Sequence, residues 1–306
     1  MKRTVVMSCI WAGLVFCQAG SATCDEGSAT GLTPGEAISR LKEGNSRFCH
    51  DHCLHPHEDA KRRAQTAVEG QHPFAAVLAC SDSRVPVEIV FDQGIGDIFS
   101  IRVAGNVCGV DELGTIEYVV EHLHAPLLVV LGHTECGAVT AATVGADVHG
   151  SITAVVEKIL PAVHQAHVAH PELHGKDLVP CAIEANVWRA VEEILTKSSI
   201  ARHQIASGKL KVVGAIYDVK SGQVKWLGEH PKQSEWLKNG QGPRIGPHAG
   251  LTPAPGRDFT AWPLMPSPYA RFRAFSRIEI ARVPESGKNR GPLCAQLASL
   301  FPPFRG

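Results

Sequence analysis

Two apolar runs stand out along this chain, FAAVLAC at 74–80 and PLLVVL at 126–131. Each is too short for a typical helix and lacks polar alternation, the pattern of a strand buried on both faces of a parallel sheet. Further strands are expected at 98–103 and 211–217. Between them, helical patterns cover 114–124, 138–144, 151–167 and 183–195. Strands alternating with helices predict an α/β fold with a mainly parallel sheet flanked by helices. The segment KVVGAIYDVKSGQVKWL, 211–227, predicts a hairpin turning at Ser221-Gly222, which gives the sheet a C-terminal hairpin extension. The first helix is expected to start at Thr33, which can cap it, with Pro34 at the first helical position and Glu36 completing a capping box. Its apolar stripe is Ile38, Leu41 and Phe48, with an interruption expected near Gly44-Asn45.

The two ends differ from this middle. Lys2 and Arg3 precede a mainly apolar run from Val5 to Phe16 and then small residues, so residues 1–22 read as an export signal cut after Ala19 or Ala22. The run is shorter than the roughly 20 residues a membrane span needs, so no stable membrane insertion is expected after processing. A lipid anchor at Cys17 is the weaker alternative, because bulky Phe16 precedes it. Export implies an oxidising compartment, the periplasm of a bacterium. Residues 23–32 read as a small-residue linker and 33–228 as the folded domain. Residues 229–306 read as a disordered tail: twelve of the twenty prolines fall there, with many Gly and Arg residues and no sustained period. The tail holds eleven Lys and Arg against five Asp and Glu, which leaves an acidic surface open as a partner; an extension without a specific partner is preferred.

Composition narrows the function classes. The 306 residues carry 30 Lys plus Arg and 30 Asp plus Glu, so no global field draws in nucleic acid or an anionic membrane. Ten cysteines are too widely spread for a small disulfide scaffold.

The chemistry concentrates at the predicted strand ends. Cys80 closes one strand in CSDSR, and His133 and Cys136 follow another in GHTEC. Ligands of open parallel sheets gather outside the carboxyl ends of the strands, so the two motifs are expected to meet. Two thiolates and one imidazole make three zinc ligands with an open fourth position, the pattern of a catalytic site. Asp82 and Arg84 follow the first ligand. The carboxylate can bind the metal as an alternative fourth ligand or accept a hydrogen bond from the nucleophile, and the arginine can hold it ionised through a bidentate pair.

With these motifs the chain resembles the β-class carbonic anhydrases from about Thr33 to Leu227. The resemblance runs through LKEGNSRF, EGQHPFAAVLACSDSRVP, FDQGIGDIFSIRVAGNV, GTIEYVVEHL and VVLGHTECGAV. It implies one Zn²⁺ per subunit on Cys80, His133 and Cys136, an Asp82–Arg84 catalytic dyad, and reversible hydration of carbon dioxide to bicarbonate. It further implies that Gln71, Phe99 and Tyr118 line the substrate pocket, as in the plant-like subgroup. Two subunits share each pocket there, so a homodimer or dimer of dimers is expected. The subgroup with a bicarbonate-controlled switch has a tryptophan where this chain has Val77, so no such switch is expected. Zinc acidifies its water and supplies hydroxide to attack carbon dioxide held beside Phe99, while Gln71 donates to an oxygen gaining charge. Two thiolates cancel the zinc charge, so the water is expected to be less acidic than the ~7 of a three-histidine site, and hydration to quicken from neutral to alkaline pH. Tyr118, His122 and His124 are near one another in sequence, but none is assigned as proton shuttle.

Alternative functions on the same residues are an exported zinc or bicarbonate carrier without turnover, and a hydrolase of a carbon dioxide analogue such as carbonyl sulfide. Retention of Asp82, Arg84 and Gln71 favours catalysis. The segment CHDHCLHPH, 49–57, is read first as an exposed loop without pairing, then as a Cys49–Cys53 disulfide, and last as a second metal site. His164, His167, His170 and His174 are read as a solvated polar face, and Cys108, Cys181 and Cys294 carry no signal.

Overall fold

The computed structural model describes residues 30–239. The expected export signal, Cys17, most of the linker, the tail beyond residue 239 and Cys294 lie outside the described residues.

The first helix, α1 (Pro34–Cys49), begins as its capping box dictates. Thr33 Oγ1 accepts from the Glu36 N–H, and a Glu36 carboxylate oxygen accepts from the Thr33 N–H. It does not break at Gly44-Asn45. Both residues are buried inside a continuous helix, and the contacts explain why. A Cβ at Gly44 would sit 1.8 Å from the Phe91 carbonyl oxygen, so only glycine admits this close approach. The Asn45 amide donates to the carbonyls of Val90 and Gly222 and accepts from the Val224 N–H. Tertiary contacts thus override two weak helix formers. After α2 (Ala60–Glu69), the elements run β1 (Ala75–Ala79), α3 (Val87–Val90), β2 (Ile98–Arg102), α4 (Val110–Glu121), β3 (Leu127–His133), α5 (Gly137–Val144) and α6 (Ile152–Ala169). Next come α7 (Val179–Lys197), α8 (Ser199–Ala206), β4 (Lys211–Tyr217), β5 (Val224–Gly228) and α9 (Gln233–Asn239).

The sheet order is β2-β1-β3-β4-β5, parallel through β4 with β5 antiparallel. This is the expected mainly parallel α/β architecture with its hairpin, and Gly222 takes φ +79° in the connection. Every residue of β1 and β3 is buried. Ala75, Val77 and Ala79 pack with Leu41 of α1 on one face, whereas Ala76 and Leu78 pack with α4 and α7 on the other. A third apolar cluster, around Val139, Ile159 and Ile183, encloses the carboxyl end of the sheet.

The fold extends past the boundary expected at residue 228. Residues 229–239, assigned above to the irregular tail, include α9, where Gln233 is buried and the His230 ring lies between Trp188 of α7 and Trp236. Two half-buried tryptophan rings supply apolar contact that a Pro- and Gly-rich average hides. No helix among the described residues is long and apolar enough to cross a membrane.

Candidate metal centre

The parallel register brings the two motifs together. Ala79 of β1 is level with Leu131 of β3, so Cys80 leaves its strand beside Gly132 and His133. His133 is the last residue of β3, and Cys136 caps the amino end of α5. A Cβ on Gly132 would lie 2.6 Å from Val187 Cγ2, so the missing side chain lets α7 lie close beneath the site.

Cys80 Sγ and Cys136 Sγ are 4.0 Å apart, and these atoms with a His133 nitrogen all lie within 4.8 Å of one another. All three residues are buried. His133 Nδ1 lies 2.9 Å from the Thr134 carbonyl, which can only accept, so Nδ1 carries the proton. That leaves Nε2 as the basic nitrogen, and it is buried without a hydrogen-bond partner. An orphaned imidazole nitrogen beside two buried sulfurs is costly as it stands and is satisfied by a cation. Tetrahedral Zn–S bonds of ~2.3 Å place two sulfurs about 3.8 Å apart, which these positions match within a few tenths of an ångström. The residues therefore fit zinc.

The sulfurs are electrostatically unequal. A hydrogen bond from Cys136 lowers the pKa of Cys80 against the opposing effect of burial, and contacts from His133 and the N–H groups of Asp82 and Gly105 add to the lowering. Cys136, hydrogen-bonded to Cys80 and buried, is pushed up. One negative charge is thus favoured without a metal, and a divalent cation would favour two.

Asp82 and Arg84 form a closed pair. Asp82 Oδ1 accepts from Arg84 Nε and its backbone N–H at 3.0 and 2.9 Å, and Oδ2 accepts from Nη2 at 2.9 Å. This pairing holds the Asp82 carboxyl at about 2 against the smaller raising effect of burial. Oδ2 is 4.0 Å from His133 Nε2, beside the donor cluster. Arg84 engages Oδ1 twice and Oδ2 once, which leaves Oδ2, the oxygen nearer the cluster, able to accept one more bond. Arg84 in turn donates to the Glu135 carbonyl and contacts its carboxylate at 3.4 Å.

The three residues expected to line the substrate pocket sit elsewhere. Phe99 is level with Ala76, four residues and about 13 Å of strand before Cys80. Gln71 precedes β1 and is exposed. Tyr118 is 46% exposed on α4, with its ring 6.2 Å from Phe99 and 5.6 Å from His122. Phe99 and Tyr118 therefore meet each other at a distance from their own chain's cysteines.

Sequence reasoning missed several supporting groups. Arg102 of β2 donates to the carbonyls of Cys80 and Asp82. Thr134 Oγ1 donates to Asp218 and accepts from the Val219 N–H, fastening the loop after β3 to the end of β4. Asn186 of α7 donates to the Gly105 carbonyl. Arg102 and Gly105 lay within a matched motif, but nothing local marked their partners.

In the 49–57 loop, Cys49 and Cys53 are free thiols. The loop is tied down by two carboxylates. Asp92 accepts from the N–H groups of Leu54 and His55 and pairs with Arg47, while Asp97 contacts His57.

The sequence profile described as carbonic anhydrase matches residues 75–224. The chain is 40% identical over 194 residues to carbonic anhydrase 2 of Mycobacterium tuberculosis, covering 62% of this chain and 91% of that protein. It is 37% identical over 196 residues to a carbonic anhydrase of Mycolicibacterium smegmatis, covering 63% and 92%. Among solved structures it is similar to the β-carbonic anhydrase CafA of Aspergillus fumigatus, with a TM-score of 0.53 and 28% identity, covering 67% of this chain and 95% of that one.

Proposed function

This chain belongs to the β-class carbonic anhydrases, and from that premise we propose that it hydrates carbon dioxide reversibly with one zinc held by Cys80, His133 and Cys136. The observation that carries the zinc assignment is the buried, partnerless Nε2 of His133 within reach of two buried sulfurs. Zinc bound there supplies Lewis acidity and hence hydroxide from water near neutral pH.

The chain's own residues do the rest. Arg84 keeps Asp82 ionised, so Asp82 can only accept a hydrogen bond, and it aims the nucleophile's lone pair by taking its proton in that bond. Arg102 fixes the backbone that carries Cys80 and Asp82, limiting the freedom that would blur this aim. Phe99 supplies an apolar wall for carbon dioxide, and Gln71 donates to the oxygen that gains charge. The offset of these residues from their own cysteines supports a pocket completed by a second copy, hence a dimer or dimer of dimers of the plant-like subgroup. Exposed Tyr118 and a helix α2 with no buried residue support the same reading. Val77 is buried in mid-sheet, and no bicarbonate-controlled switch is assigned to the chain. The leader expected at 1–22 supports action outside the cytoplasm.

The test is stopped-flow hydration on purified protein of measured zinc content. The expected result is turnover that scales with zinc up to one ion per chain. Turnover independent of zinc, or a fully loaded and inert protein, would overturn the reading.

A further inference from the structure

Gly105 is held from both sides. It lies in the tight turn 104–106 after β2 at φ +68°, in the left-handed region. A Cβ there would be 2.7 Å from Ile159 Cδ1 and 3.3 Å from Ala138 Cβ, so a side chain is excluded by packing as well as by conformation. Its N–H donates to Cys80 Sγ at 3.3 Å. Its carbonyl accepts from Asn186 Nδ2 at 2.7 Å, across 81 residues of chain. Asn186 is 2% exposed, on a helix that also carries Val187, the residue packed against Gly132 beside His133.

The Gly105 N–H and carbonyl lie in the two successive rigid peptide planes that meet at its Cα, so with φ +68° and ψ 18° held by the packing around Gly105, the bond that fixes the carbonyl also fixes where this N–H points. An N–H aimed at a thiolate withdraws charge from sulfur and sets the direction of its lone pairs, and both matter to a metal bound there. We propose that Asn186 is a positioning residue for the metal centre: by holding the Gly105 carbonyl, it aims the Gly105 N–H at Cys80. This rests on the reading of Cys80 as a metal ligand. The competing account is that Asn186 merely satisfies a buried carbonyl. The two differ in what happens at Cys80 when Asn186 is changed. Cys80 offers an internal reference, because its second backbone donor, the Asp82 N–H at 3.4 Å, does not pass through Asn186.

The experiment loads the full chain with ¹¹³Cd and reads scalar couplings between the metal and backbone amide protons through N–H···S bonds. The wild-type protein is expected to show couplings at both Gly105 and Asp82. In Asn186→Leu, which keeps bulk and loses the donor, and in Asn186→Asp, which replaces the donor with an acceptor, the Gly105 coupling is expected to weaken selectively. Zinc affinity, measured by chelator competition, is expected to fall roughly 10- to 100-fold in both. Absence of the Gly105 coupling in the wild type, or equal behaviour of the two couplings in the variants, would overturn the assignment. Failure of both variants to fold would also overturn it, since Asn186 would then be a structural residue. A cadmium shift without thiolate ligation would instead overturn the metal reading itself, and this inference with it.

Discussion

The loop at 49–57 packs two cysteines and four histidines into nine residues, whereas the carboxyl end of the sheet draws two cysteines and one histidine from positions 80 to 136. By local density the loop looks richer. Yet the strand-end trio is the only group of three or more such donors gathered within 4.8 Å among the described residues. In the loop, three of the four rings turn to separate partners: His50 lies 2.7 Å from the Ser46 carbonyl, His55 faces Glu58, and His57 faces Asp97. The difference teaches that donors converge when neighbouring rigid strands deliver them, and that proximity in sequence alone does not aim side chains at a common point.

The sharpest way to break this comparison is at the cysteines. Cys80→Ala and Cys136→Ala are each expected to abolish zinc binding and turnover, whereas Cys53→Ala leaves one zinc per chain. Elemental analysis beside a hydration assay decides it, and a full complement of zinc in the first two variants would erase the contrast. Next in size, Asp82→Asn is expected to retain zinc and lose about 10²–10⁴-fold in kcat, because an amide cannot replace an ionised acceptor. Near wild-type kcat would remove Asp82 from the mechanism.

On the loop side, the acidic anchor matters more than the histidines. Burial alone would raise the Asp92 carboxyl, but hydrogen bonds from the Leu54 and His55 N–H groups and from Arg47 outweigh it and leave the carboxyl below its usual value. A carboxyl lowered in the folded state stabilises above its unfolded pKa, near 3.9, and loses that contribution as pH falls through its folded value. Asp92→Asn is therefore expected to cost about 2 kcal/mol at neutral pH and to shrink the stability difference between pH 7 and pH 3. Urea unfolding at the two pH values measures both, and an unchanged pH profile would contradict the anchor. Smallest of all, His52→Ala is expected to change stability by no more than about 0.5 kcal/mol and leave zinc content untouched. A loss of metal from that variant would show that the loop reaches the site after all.

The same contrast marks what the sequence made legible. The strands could be read because β1 and β3 are buried on both faces and so are apolar throughout. The start of α1 could be read because capping acts over four neighbouring residues. α2 was invisible to a search for apolar stripes because it buries none of its residues, and α9 because a few residues carry its packing inside a proline-rich average. At the site, the donors and the Asp82–Arg84 pair lie in short motifs after strands. Arg102 acts on Cys80 from a neighbouring strand, and Asn186 acts on Gly105 from a helix far along the chain, so only the folded register reveals them.

The crossover between β1 and β3 also has a kinetic side. The two sulfurs are 56 positions apart, and they meet only after two parallel strands have paired across two intervening helices and a third strand. Closing such a loop costs entropy before any contact repays it, and parallel pairing is intrinsically slow. The full donor set is therefore a late product of folding. A nascent chain offers a metal only scattered thiols and imidazoles, and the time at which the trio first binds an ion marks the moment its sheet has closed.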